Sequence, residues 1–310
     1  MITPAPNALR GIALKVASVV MFTAMAAMLK ATAHEVPAGQ QVFFRSLFAI
    51  PVTLIWLAWR RELRDGLRVE SPISHVWRGL VGTLAMGLSF WGLGLLPFPE
   101  ATALNYAAPL MVVIFAAMFL NEQVGIYRIS MVTIGLIGVL IVLYPRLESA
   151  RDGLSMGETL GAVVTLGGAM FAALAQIFIR KMVQVERIAA IVFWFSITST
   201  VLSLFTLPLG WVWPSAWAAF LMVAAGLLGG VAQILLTSAY RYADASLVAP
   251  FDYASMLLAL GIGWFIFAES ASLSMLFGAA VIMASGIAII WRERQLGLKR
   301  TRQRKVTPLR

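Results

Sequence analysis

The sequence predicts an all-α integral membrane protein, with ten transmembrane helices in two inverted five-helix repeats. Three observations predict it. The composition is 60% hydrophobic and only 12% charged, whereas a soluble domain carries about 25% charged residues. The chain divides into ten apolar stretches of bilayer length, about 20 residues each. One pattern is also written twice: "NYAAPLMVVIFAAMFLNE" from Asn105 to Glu122 returns as "DYASMLLALGIGWFIFAE" from Asp252 to Glu269, 147 positions later.

The ten stretches are residues 11–31, 39–58, 76–95, 98–119, 126–144, 157–178, 188–208, 217–239, 245–267 and 272–291. Mean hydropathy is +0.86, and the connections leave no room for a soluble domain. Barrel strands are excluded, because the runs far exceed 9–11 residues and do not alternate. The first stretch is long, is interrupted by Lys15 and lacks a clear small-residue cleavage site, so it reads as a retained helix rather than a signal peptide.

Basic residues set the expected orientation. With the N-terminus in the cytoplasm, 19 Lys and Arg fall on the inner side, counting Arg78 among the loop residues, and Arg146 and Arg151 on the outer side. Both termini are therefore expected in the cytoplasm of a bacterium, across its inner membrane. Trp211, Trp213 and Trp217 then form an outer aromatic belt. The net charge of +10 belongs to short loops and the basic tail, which argues against a nucleic-acid partner.

The 147-residue offset extends back to "GLVG" (Gly79 to Gly82), which aligns with "GLLG" (Gly226 to Gly229). It pairs helix 3 with helix 8 and helix 4 with helix 9. Five helices per half is an odd number, so the second half enters the membrane inverted, an arrangement of secondary transporters whose substrate site lies between the halves. The expected domains are residues 1–147, residues 148–292 and a basic tail at 293–310.

Here the chain resembles the EamA-type transporters of the drug/metabolite transporter superfamily. The resemblance rests on "PEATALNYAAPLMVVIFAAMFLNEQVG" and "ADASLVAPFDYASMLLALGIGWFIFAES", with Lys30 and Arg45 in the first two helices. It implies the ten-helix fold and a transport role, and it leaves the substrate open among amino acids, other metabolites and toxic organic compounds.

Candidate site residues follow from the cost of polar groups in a bilayer. Asp252, about 10 Å into the ninth stretch, is expensive unless it meets water or a cation. It could bind a substrate amine or a proton, or form a structural pair, for instance with Arg241. Asn105 is its counterpart in the first half. Arg45, about 9 Å into the second stretch, either marks a site or snorkels; for Lys15 and Lys30 snorkelling is the simpler reading. Glu122 and Glu269 read as interfacial residues that hold the next turn, with gate or proton-coupling acids as the alternative. Pro109 and Pro250 would kink their helices or open backbone carbonyls to a cavity. The aromatic residues Tyr106, Tyr253, Tyr240, Trp91, Trp194 and Trp264 either pack or line a cavity suited to an apolar or aromatic ligand. Gln176 and Gln233 read as weaker ligands or interhelical glue. His34 and His75 are read as solvated loop residues without metal-ligand spacing.

No cysteine, metal set, Ser/His pair or nucleotide loop is present, so neither an enzyme nor a cofactor is expected. A carrier driven by a substrate gradient or by protons is favoured over a channel, because a channel would show a ring-forming pore motif. The expected cargo is small and mostly apolar, with amino acids, aromatic ones included, as the leading class and other metabolites or drugs as the alternative. A monomer in the lipid bilayer is the expected functional unit.

Overall fold

The computed structural model describes residues 8–120, 125–151, 156–182, 185–242 and 249–306. Every regular element among them is helical. We number the spans α1 (Ala8–Thr32), α2 (Ala38–Trp59), α3 (Pro72–Leu95), α4 (Phe98–Asn105 and Ala107–Leu120), α5 (Ile126–Arg151), α6 (Met156–Met182), α7 (Ile188–Leu204), α8 (Ala216–Tyr242), α9 (Ala254–Phe267) and α10 (Leu273–Val306). The end of the bundle where α1 begins is the near end, and the opposite end is the far end.

Seven segments are long and apolar enough to cross a membrane by composition alone, in α1, α2, α4, α5, α6, α8 and α10. Two more, Ile188–Leu204 and Phe251–Phe267, are apolar but shorter. At 1.5 Å per residue they rise about 25 Å, close to the hydrocarbon thickness. The bundle is inside-out relative to a soluble protein. Ile55, Leu140, Phe220, Leu257 and Phe265 are exposed on its perimeter, while Lys15, Gln41, Arg45, Thr53, Thr165, Ser196 and Ser199 are buried.

The packing exchanges the halves. Mates in the repeat are α1 and α6, α2 and α7, α3 and α8, α4 and α9, and α5 and α10. α1 lies along α8, and α6 lies equally closely along α3. α2 packs on α8 as α7 packs on α3, while α2 meets α7 and α5 meets α10. α4 packs on α6, as α9 packs on α1. Each of these contacts has its image in the other half. Where α5 crosses α10, Gly138 and Gly278 face each other's backbone carbonyls and leave no room for a Cβ on either, so the two backbones touch directly.

Three features refine the predicted stretches. α3 begins at Pro72 rather than residue 76, so His75 and Arg78 are buried helix residues and not loop residues. The interruption of α4 falls at Tyr106, whose N–H donates to Ala103 O. Pro109 explains it: proline has no N–H to offer the carbonyl four residues back, that of Asn105, and its ring crowds that carbonyl. Asp252 does not lie within a continuous α-helix, because residues Ala249–Tyr253 form a 3-10 turn before α9. The tail continues helical to Val306.

Candidate functional site

The interrupted helices cross at the middle of the bundle. The rings of Tyr106 and Tyr253, counterparts in the repeat, meet edge to face at 5.0 Å. Tyr106 Oη is 2.6 Å from Ser255 Oγ, and it also donates toward the carbonyls of Asp252 and Tyr253 at 3.4 Å. Gly286 of α10 makes room for the Tyr253 hydroxyl, since a Cβ there would overlap it. Asn105 Nδ2 donates back to Ala101 O at 2.9 Å, and its Oδ1 accepts from Ser89 at 3.4 Å.

Two ion pairs tie α1 to the segment around α9, one toward each end. Toward the near end, Lys15 Nζ is 2.6 Å from Asp252 Oδ1. Lys15 is almost fully buried, while the Asp252 side chain is 45% exposed. Toward the far end, Lys30 Nζ is 2.9 Å from Glu269 Oε1 and donates to Leu96 O at 2.6 Å. Glu269 Oε2 in turn accepts from the Phe98 N–H at 2.6 Å. The chain reaches this geometry by ending α9 on Ala268 with φ of 52°, a left-handed conformation unusual for alanine. Lys15 and Lys30 are therefore partnered rather than snorkelling, and the cation beside Asp252 is Lys15. The side chain of Arg241, weighed for that role, lies outside the described residues, as do Glu122 and the Tyr240 side chain.

Arg45 and Arg78 form the second feature of the interior. Both are more than nine-tenths buried. Their guanidinium carbons lie 5.8 and 4.0 Å from the centre of the Phe195 ring on α7. A small, partly open cleft of about 40 Å³ is lined by Arg78, Phe195, Gln233, Ile179 and Ile191. Pro250's side chain lies outside the described residues. Gln176 and Trp91 are exposed on the outer faces of α6 and α3. Trp264 is also exposed, and Trp194 donates to Leu67 O at 3.1 Å. The structure brings Tyr106, Tyr253, Asn105 and Asp252 together at the crossing and Arg45 and Gln233 beside Phe195.

Sequence reasoning missed Arg78, Phe195 and a pair of loop glutamates. The signal for Arg78 was "SP" at 71–72, a helix-start pattern that places the arginine inside α3. Glu35, in the loop after α1, accepts from the Ser215 N–H at the start of α8. Glu186, in the loop after α6, accepts from the N–H groups of Ser71 at 2.7 Å and Glu70 at 3.0 Å at the start of α3. Each half thus anchors the first turn of the other half's third helix, where N–H groups lack intrahelical partners. Burial pushes the Glu186 carboxyl up, but the N–H donors and His75, 3.5 Å away, outweigh it and hold the carboxyl below its ordinary value of 4.5. A depressed carboxylate stabilises the fold fully above its ordinary pKa and loses that contribution as pH falls through the folded value. Glu186→Gln should therefore cost about 1–3 kcal/mol at pH 7. Its melting temperature in detergent should approach the wild-type value as the pH falls below 4.5. An equal deficit at both pH values would contradict the anchoring role.

Comparison with known proteins places this architecture. The profile of the EamA-like transporter family matches the chain twice, over residues 9–144 and 159–292. An S-adenosylmethionine uptake transporter of Rickettsia felis is 28% identical over 289 residues, covering 93% of this chain and 94% of that protein. The pseudopaline exporter CntI of Pseudomonas aeruginosa is 30% identical over 287 residues, covering 90% and 95%. A riboflavin transporter of Rhizobium johnstonii is 29% identical over 260 residues, covering 83% and 82%. A solved crystal structure superposes with a TM-score of 0.64 at 18% identity, covering 90% of this chain and 96% of that one, a likeness of fold alone.

Proposed function

The chain belongs to the EamA-like transporter family, and from that premise we propose that it is a secondary carrier exporting small, mostly apolar metabolites by alternating access. Amino acids, aromatic ones included, are the leading cargo. The membrane is the bacterial inner membrane, with both termini in the cytoplasm, and the domain boundaries follow the repeat at residues 147 and 292.

One observation carries this reading: seams equivalent by the repeat are held differently. The seam of α1 with α9 carries the ion pairs Lys15–Asp252 and Lys30–Glu269. Its image, the seam of α4 with α6, is packed among the described residues on Val112, Ala116, Ala173 and Ile177, with Asn105 in the place of Asp252. A carrier needs two arrangements of the same elements with different contacts in each. Equivalent seams that carry unlike contacts fit such a carrier. The cargo reading is supported by an interior rich in aromatic and small residues, which desolvates an apolar side chain cheaply. The relatives' named cargoes, S-adenosylmethionine, pseudopaline and riboflavin, support a small organic molecule.

Overexpression in cells loaded with individual amino acids tests the proposal. Faster efflux, and resistance to toxic analogues of at least one neutral or aromatic amino acid, is the expected result. Unchanged efflux for all of them, alongside clear transport of a sugar or a nucleotide conjugate, would overturn the cargo assignment.

A further inference from the structure

We infer that Arg45 and Arg78 together form an anion subsite that receives the carboxylate of the transported molecule, with the Phe195 ring beside both and the apolar wall of a small neighbouring cleft next to it. This inference rests on the carrier reading and names the chemistry its cargo must present.

The two arginines come from α2, which starts at the far end, and α3, which starts at the near end. Both approach one ring, so their guanidinium carbons are no further apart than the sum of their distances to it. Arginine at membrane depth costs at least ~2.5 kcal/mol on insertion scales, and two like charges facing one ring add repulsion. Buried charges are normally paired. Here Arg45 Nε and Arg78 Nε and Nη1 are enclosed without a hydrogen-bond partner among the described residues. Phe195 offers only its ring face. The acids bonded nearest the crossing are otherwise engaged, Asp252 by Lys15 and Glu269 by Lys30.

The surrounding backbone is shaped to keep both guanidiniums in place. On α3, Gly82 leaves the space that Arg78 and Phe195 fill, and on α8 Gly229 leaves space for the Met25 sulfur and, less tightly, for the Arg45 side chain. These two glycines are counterparts, 147 positions apart in "GLVG" and "GLLG". The arginines themselves have no such counterparts: Ala225 stands where the repeat would place a second Arg78. The charge therefore belongs to one half of a twofold design, as a ligand site does and a packing feature need not.

A carboxylate is the anion that fits. It accepts a bidentate fork from one arginine and leaves lone pairs for the second, and the small cleft beside Arg78 opens onto an apolar wall. Ile179, Ile188, Ile191 and Val192 form the apolar side of that space, next to Gln233.

The test uses the full chain in phosphatidylcholine nanodiscs, which present no anionic lipid. Thermal stabilisation is measured with acid and amide pairs: benzoate and benzamide, L-phenylalanine and L-phenylalaninamide, L-methionine and L-methioninamide. At least one acid should protect at a concentration tenfold or more below that of its amide. Arg78→Gln and Arg45→Gln should abolish the difference, while Arg78→Lys should keep part of it. Gly82→Ala, which crowds the Arg78 guanidinium without touching its charge, serves as the second variant should the arginine replacements fail to fold, and it should narrow the difference. Equal protection by acid and amide in every pair, or a difference that survives the arginine and glycine variants, would overturn the subsite, as would stabilisation by added phosphatidylglycerol alone, which would assign the pair to a lipid headgroup. The two readings fail separately. Acid discrimination without transport in liposomes would sink the carrier and keep the subsite, whereas transport of acids and amides at equal rates would do the reverse.

Discussion

Glu269→Gln is expected to open the far end and lower efflux by tenfold or more. The substitution weakens the bond to Lys30 at 2.9 Å, leaving that ammonium with the carbonyls of Leu96 and Leu93, and it weakens the acceptor for the Phe98 N–H. Removing one partner of a fully buried pair costs 3–5 kcal/mol. These side chains are 12% and 19% exposed, so about 2–3 kcal/mol is the reasonable loss. That shifts a two-state equilibrium by roughly 30- to 150-fold. The native chain has no cysteine, so a single cysteine at Ala259, fully buried one turn below the latch on α9, reports the change directly. Maleimide should label it at least ten times faster in the Glu269→Gln background. Unchanged labelling would mean that the latch is not what holds the far end shut.

Asp252→Asn should have the second largest effect. It leaves Lys15, almost fully buried in α1, facing a neutral amide. Half-exposure of Asp252 softens the penalty, so about 1–3 kcal/mol is expected from the melting temperature. The paired change Lys15→Met with Asp252→Asn should recover most of it, since replacing both ions is far less costly than stranding one. Efflux should fall in the single variant and lose its wild-type pH response. Normal efflux at every pH would make the pair purely structural.

Much of the fold could be read in the order of residues. Ten apolar runs became ten spans because a bilayer leaves the backbone no choice but internal hydrogen bonds. The repeat was visible as a register because packing on a counterpart demands small residues at matching places, as at Gly82 and Gly229. The candidate site was less legible. Arg45 announced itself by its cost, but Arg78 was hidden by four residues of misplaced helix start. The partnership of Lys15 with Asp252, like that of Lys30 with Glu269, joins opposite ends of the chain across the repeat, and no local pattern encodes such a meeting. Phe195 is one of eighteen phenylalanines, and only the convergence of two cations on its ring distinguishes it.

The Tyr106 hydroxyl finds Ser255 Oγ at 2.6 Å. In the first half, the residue equivalent to Ser255 is Ala108. Were the two halves to trade roles, Tyr253 would reach the same spot and meet a methyl group. One hydrogen bond of about 1 kcal/mol would then be missing on that side of the cycle, enough to tilt the resting population by roughly fivefold. A molecule built from two copies of one design need not idle evenly between them: a single oxygen atom at the crossing gives the machine a preferred resting side.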